Sequence, residues 1–329
     1  MNLRNFLVTV LGAIGAVIVF LVTWPLWFRR REDVAWQDAA RPGKLAVVDG
    51  VALHYVEKGR PDAPAIVMIH GFGGHTFSFR YQMADLEREY RTIAIDLKGF
   101  GYSERPFGPA QDRQGDAGDH SLTEQARLML RTLDVLGVQK AAALIGHSMG
   151  GEVAMRMAAA QPERFGKLVL VASVSGERVP SLPRIAIWRW FLPFWSRVIA
   201  LNAWRKMFYD RSQVDLRAIR AAYLATARIK GSLDTVWAMW RDLRRDKKIA
   251  YGRIRQPVLV LWAEKEQIVP FAGRTLRKLR EALPQAEVVT VPRTGHLLLE
   301  ENPQAANEAL RRFLAGRPQE QVVEAVKTA

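Results

Sequence analysis

From Leu45 onward, continuous apolar runs alternate with stretches whose apolar residues recur every three to four positions. Runs of four to eight apolar residues predict buried strands, and the 3.6-residue period predicts amphipathic helices. Residues 45–56 predict two strands joined at Asp49-Gly50, a dipeptide suited to a tight hairpin turn. Further strands are expected at 65–69, 92–95, 141–145, 168–172, 258–262 and 287–291, with helices at 76–90, 121–136, 152–161, 273–283 and 304–315. Ser121 and Glu124 have the spacing of a capping box at the start of the second helix, and Gly137 stops it. This alternation predicts an α/β fold, with a mostly parallel eight-stranded sheet and helices on both faces.

Two segments break the pattern. Between Gly176 and Gly252 no strand-like run occurs, apolar residues keep helical spacing, and six of the ten tryptophans are found. From Arg178 to Tyr251 there are 16 Lys or Arg against 5 Asp, a net of +11 in a chain of net +15. This reads as an inserted helical lid that holds most of the positive charge. Its tryptophans and arginine stems serve at least partly to pack the lid's own helices. The second segment, residues 6–28, runs 23 residues without a charge and would span roughly 34 Å as a helix. That is enough to cross a bilayer's hydrocarbon core. Its end is bulky throughout, without the small-residue site of a cleaved signal, and Trp24 and Trp27 suit an interfacial belt. We expect an uncleaved transmembrane anchor. Arg29, Arg30, Arg31, Arg41 and Lys44 follow the span and only Arg4 precedes it, so the rest of the chain is expected on the cytoplasmic side.

The expected organisation is an anchor and basic flank (1–31), a linker (32–44), a core in two parts (45–177 and 253–316) around the lid (178–252), and a tail (317–329). Hydrophobic residues make up 49% of the chain and charged residues 25%, which fits a globular domain. No cysteine is present, which excludes disulfides, thiolate metal sites and a cysteine nucleophile.

The chemistry concentrates at Gly146-His147-Ser148-Met149-Gly150-Gly151, a G-x-S-x-G motif between an expected strand and an expected helix. Such a nucleophile elbow holds its serine on a sharp, strained turn, where side chains at Gly146 and Gly150 would collide. Downstream come Glu264-Lys265-Glu266-Gln267-Ile268-Val269-Pro270 after one strand and Thr294-Gly295-His296 after the last. Upstream, His70-Gly71-Phe72-Gly73-Gly74 follows a buried strand. In this order the motifs resemble those of the α/β-hydrolase fold superfamily, in particular its serine esterase and lipase members, over residues 45–315. The resemblance implies Ser148 as nucleophile, His296 as base and Glu266 as the acid. Aspartate is commoner at that last position, and Glu264 is the nearby competitor. It further implies an oxyanion hole from the backbone N–H groups of Phe72 and Met149. His54, His70 and His147 are assigned structural places.

Ser148 excludes the aspartate nucleophile of dehalogenase-like and epoxide-hydrolase-like relatives. The glycines at 71–74 lack phosphate-loop spacing, no helix carries metal-ligand spacing, and neither a cofactor nor a metal is expected. No nucleic-acid-binding motif accompanies the positive charge. The expected activity is hydrolysis of a carboxylic ester, with a lipid-derived or long-chain substrate suggested by the anchor and basic lid. Carbon–carbon bond hydrolysis or perhydrolysis by the same triad, and a non-catalytic receptor on this fold, remain alternatives.

Overall fold

The computed structural model describes residues 32–105, 118–176, 202–317 and 319, together with 10, 12, 14–16, 19, 20 and 23. Of the expected span at 6–28, only those last eight positions are described, and they are helical. Among the described residues no helix is long and apolar enough to cross a membrane. The span therefore lies largely outside the described residues, as do the lid's first part (178–201) and nearly all of the tail.

The eight strands are β1 (Lys44–Val48), β2 (Val51–Lys58), β3 (Ala65–Ile69), β4 (Arg91–Ile95), β5 (Ala141–His147), β6 (Leu168–Val171), β7 (Val258–Ala263) and β8 (Ala286–Val291). They form one sheet in the order β1-β2-β4-β3-β5-β6-β7-β8. β2 runs antiparallel to β1 and β4, and every other pairing is parallel. The β1–β2 turn carries Asp49 at φ 51° and Gly50 at φ 79°, the two positive φ values that a two-residue type I′ hairpin requires.

Alternation along the central strands sends side chains to two cores. Ala65, Val67 and Ile69 of β3 join one apolar cluster, and Ile66 and Met68 join the other. The first cluster is closed by α2 (Leu122–Val135) and α3 (Met149–Ala160), through Met129, Leu133, Val153 and Met157, and by α6 (Ala272–Ala282) through Leu279. On the opposite face, α1 (Arg80–Leu86) contributes Met83 and Leu86, and α8 (Pro303–Leu314) contributes Leu310 and Phe313. Between them lies the short α7 (Leu298–Glu301). The helix expected over 76–90 is split, with a 3₁₀ turn at Thr76–Phe79 ahead of α1.

Helix starts follow local chemistry, with one correction. Ser121 accepts the Glu124 amide at 3.2 Å, half of the expected capping box. The Glu124 carboxylate turns instead to Arg127, and Asp119 accepts the Ser121 amide at 2.8 Å. The helix after the elbow begins at Met149, three residues before the position that sequence periodicity indicates. The glycines of the elbow dilute the apolar period without breaking the helix.

The described part of the lid contains α4 (Leu216–Ala227), N-capped by Asp215, and α5 (Ser232–Asp242). It docks through Phe208 and Ile219, which pack with Leu297 just after β8. Sequence order therefore inserts the lid between β6 and β7, and packing returns it to the loop that follows β8.

Candidate active site

Strand β5 delivers Ser148 to a turn at φ 53°, ψ −119°, a region that non-glycine residues rarely occupy. Two backbone bonds fix this conformation, Ser148 N–H to Val171 O at 2.8 Å and Gly151 N–H to Ser148 O at 3.0 Å. Its neighbours have no room for a side chain. A Cβ at Gly146 would strike the backbone of Gly150 and Gly151, whereas one at Gly150 would strike the carbonyls of Ile69, the last residue of β3, and of His70 just after it. The first clash crosses the elbow as the sequence predicts. The second shows that α3 is pressed directly against the neighbouring strand.

Helix α3 starts at Met149, so that residue's N–H has no acceptor within the helix and lies at its positive end. The loop after β3 approaches the same point, and a Cβ on Gly71 would come to 2.9 Å from the Ser148 Cβ. The loop is closed by Gly74 N–H donating to Gly71 O at 3.0 Å, which leaves the Phe72 amide outside its own turn bond. The Phe72 ring packs edge-on against Phe100 at 5.8 Å and is 43% exposed.

His296 follows β8. Its Nδ1 lies 2.9 Å from Glu266 Oε2 and 3.1 Å from Oε1. Because a carboxylate only accepts, Nδ1 carries a proton, which in the neutral imidazole leaves the lone pair on Nε2. Glu266 Oε1 also accepts the amides of Ile268 at 2.8 Å and Val269 at 2.9 Å. Burial alone would push this carboxyl up. The His296 hydrogen bond and charge, with the two amides, outweigh it and hold the group below its ordinary value, so it is ionised. Glu264 does not reach His296; it accepts the Arg293 amide at 2.7 Å and braces the turn after β8.

His147 links the nucleophile's turn to the histidine loop. Its ring lies 4.9 Å from the His296 ring, and its Nε2–H donates to the His296 carbonyl at 3.0 Å. Burial and the nearby His296 lower its pKa to about 3, so it remains neutral. The structure thus brings Glu266 and His296 into direct contact and links them through His147 to the elbow of Ser148 and Met149, which the Phe72 loop approaches from the other side.

Two carboxylates that sequence reasoning missed hold this arrangement. Asp96, fully buried at the end of β4, contacts His54 Nδ1 at 2.7 Å and accepts the amides of Thr76 at 2.6 Å and Tyr102 at 2.8 Å. It thereby ties the loop after Phe72 to the sheet. His70 is locked beside it, accepting the Leu97 amide at 3.0 Å through Nε2 and donating from Nδ1 to Gly71 O at 2.7 Å. Glu301 on α7 accepts the amides of Gly295 at 2.6 Å, Tyr209 at 2.6 Å and Asp210 at 3.1 Å. One side chain therefore joins lid backbone to the residue preceding His296. A Cβ on Gly295 would come to 2.6 Å from Met207 O, so the lid chain crosses where only glycine fits. No short-range motif could reveal Glu301, whose partners on the lid lie about 90 positions away.

A family model described as alpha/beta hydrolase fold matches residues 64–303. The chain is 29% identical over 289 residues to the uncharacterized hydrolase YugF of Bacillus subtilis (strain 168), covering 84% of this chain and 99% of that protein. It is 30% identical over 276 residues to the dihydrolipoyllysine-residue acetyltransferase component of an acetoin cleaving system from Pseudomonas putida, covering 82% of this chain and 68% of that one. Among solved structures, a bacterial membrane phospholipase A matches in fold with a TM-score of 0.65 at 23% identity, covering 95% of this chain and 97% of that one. The strand order, the elbow after β5 and these matches agree: the chain belongs to the alpha/beta hydrolase fold family and is a hydrolase of that fold.

Proposed function

We propose that the protein is a membrane-anchored serine esterase acting on long-chain or lipid-derived esters, with its hydrolase domain on the cytoplasmic side. The observation that carries the catalytic part is the buried Glu266–His296 pair beside a serine held in elbow geometry. Ser148 Oγ attacks the ester carbonyl while His296 Nε2 takes its proton. Ionised Glu266 holds the imidazole in the required tautomer and stabilises the imidazolium. The Met149 and Phe72 N–H groups donate to the oxyanion as negative charge develops on it. His296 returns the proton to the departing alkoxide, leaving an acyl-enzyme. Water then attacks that ester with the same base, releasing the acid and restoring Ser148. The chain uses no cofactor or metal in this scheme.

The membrane part is supported by the uncharged run at 6–28, the basic residues following it, and the lid's net charge of +11. A fluorophosphonate probe on the folded, detergent-solubilised protein tests the nucleophile. Labelling is expected in the wild type and lost in Ser148→Ala. Labelling that persists in Ser148→Ala rejects the assignment. An ester panel with the same variant as control tests the substrate class, and acetate turned over as fast as long acyl esters would reject it.

A further inference from the structure

Residues 32–34, which follow the expected membrane span by a few positions, are bonded to the lid. Glu32 accepts the amides of Gly231 at 3.0 Å and Leu233 at 2.7 Å, capping α5 from a distant part of the chain. Asp33 forms a two-point pair with Arg228, Oδ1 to Nε at 2.8 Å and Oδ2 to Nη2 at 2.6 Å. Val34 adds a parallel bridge beside Ile229, donating to Arg228 O at 3.1 Å and accepting from Lys230 at 2.9 Å. Three consecutive residues are thus fastened to the α4–α5 turn of the lid.

Chain connectivity then limits where the lid can be. Each residue step spans at most about 3.6 Å, so Glu32 lies no more than about 14 Å from Phe28, the end of the uncharged run. Whatever conformation residues 29–31 take, that turn is tethered within reach of the point where the span ends. The helix entering the turn has a matching surface. Leu216, Ile219, Tyr223 and Thr226 of α4 face inward. At the opposite helical phase stand Arg217, Arg220, Ala221 and Leu224, all exposed, with Leu224 51% accessible. This stripe carries no acidic residue. An exposed leucine among arginines is the pattern of a helix that rests on an anionic interface.

We propose that the outer face of α4 is a docking surface for the anionic phospholipid bilayer that the N-terminal segment enters, with Glu32, Asp33 and Val34 as the clamp that seats it there. The proposal rests on the reading of residues 6–28 as an anchor. It goes further by naming the surface and what holds it, and it implies that the lid meets lipid with one fixed face.

The absence of cysteine makes the test direct. Leu224→Cys and, as a control at the C-terminal end of α2, Val135→Cys each give one site for a nitroxide label on the full chain. The labelled proteins are reconstituted with phosphatidylcholine:phosphatidylglycerol vesicles at 7:3, and collisions with oxygen and with a water-soluble nickel chelate are compared. The expected oxygen-to-nickel ratio is at least threefold higher at position 224 than at 135. It should fall to the control level when Arg217→Glu and Arg220→Glu are added. Glu32→Gln with Asp33→Asn should also lower it while the protein still floats with the vesicles. Flotation with equal ratios at the two sites overturns the docking surface and leaves the anchor standing. Failure to float overturns both. A high ratio at 224 unaffected by the clamp variant overturns the role given to Glu32 and Asp33.

Discussion

At the scale of single residues, the site contains two glutamates two positions apart with different environments. Glu266 is buried against His296 and two amides, whereas Glu264 braces a turn. Glu266→Gln replaces the acceptor facing Nδ1–H with an amide that can favour the wrong tautomer. We expect kcat to fall by about 10³–10⁴-fold, the scale set by the equivalent change in a Ser-His-Asp triad. Glu264→Gln should stay within about twofold, and the opposite ranking in steady-state assays would reassign the acid. The lowered pKa of Glu266 adds a pH signature. A carboxyl that ionises more readily folded than unfolded stabilises the fold above its ordinary value near 4.5, and that contribution disappears as pH falls through the lowered folded value. The stability gap between wild type and Glu266→Gln, read from urea midpoints, should therefore be largest near pH 7 and shrink below pH 4.5. The order of Ser148, Glu266 and His296 was legible in sequence because each follows a strand end marked by its own short motif. The contact between Glu266 and His296 was not, since it depends on β7 and β8 lying side by side.

At the scale of elements, most strands were visible from their continuous apolar runs, and the hairpin at Asp49-Gly50 from its turn chemistry. What periodicity could not supply were the bonds that join elements far apart in the chain. Glu124 has the right spacing for a capping box and serves Arg127 instead, because Asp119 already occupies the Ser121 amide. Glu301 reads in sequence as an ordinary helix charge. Its carboxylate nevertheless receives one amide from the loop of the catalytic-base candidate and two from the lid. Hydrogen bonds to a charged acceptor contribute about 1.5–3 kcal/mol each at most, and they are not additive. Glu301→Gln retains one acceptor oxygen and brings two donors toward amides that cannot accept them. We expect a loss of about 2–3 kcal/mol in stability by denaturant titration. At a temperature where the variant is folded, kcat should fall more than tenfold through displacement of Gly295 and His296. A variant that is destabilised yet keeps full kcat would show that Glu301 holds the lid without positioning the histidine.

At the scale of the whole molecule, charge and topology point the same way. The net charge of the chain is +15, and +11 of it falls in residues 178–251, which the sequence inserts between β6 and β7. The lid is joined on one side to the histidine loop through Glu301 and on the other to residues 32–34. An esterase built this way would gain from an anionic surface only when its substrate resides there. Screening separates the two cases, since the Debye length shrinks from about 10 Å at 0.1 M salt to about 3 Å at 1 M. A long-chain ester in phosphatidylglycerol-containing vesicles should therefore lose several-fold in kcat/KM between 0.05 and 0.5 M sodium chloride. A short water-soluble ester assayed with the same protein should change by less than about twofold, because the Glu266–His296 pair is buried and weakly screened. Equal salt sensitivity for both esters would place the effect in the catalytic groups and remove the lid's charge from the account of substrate delivery.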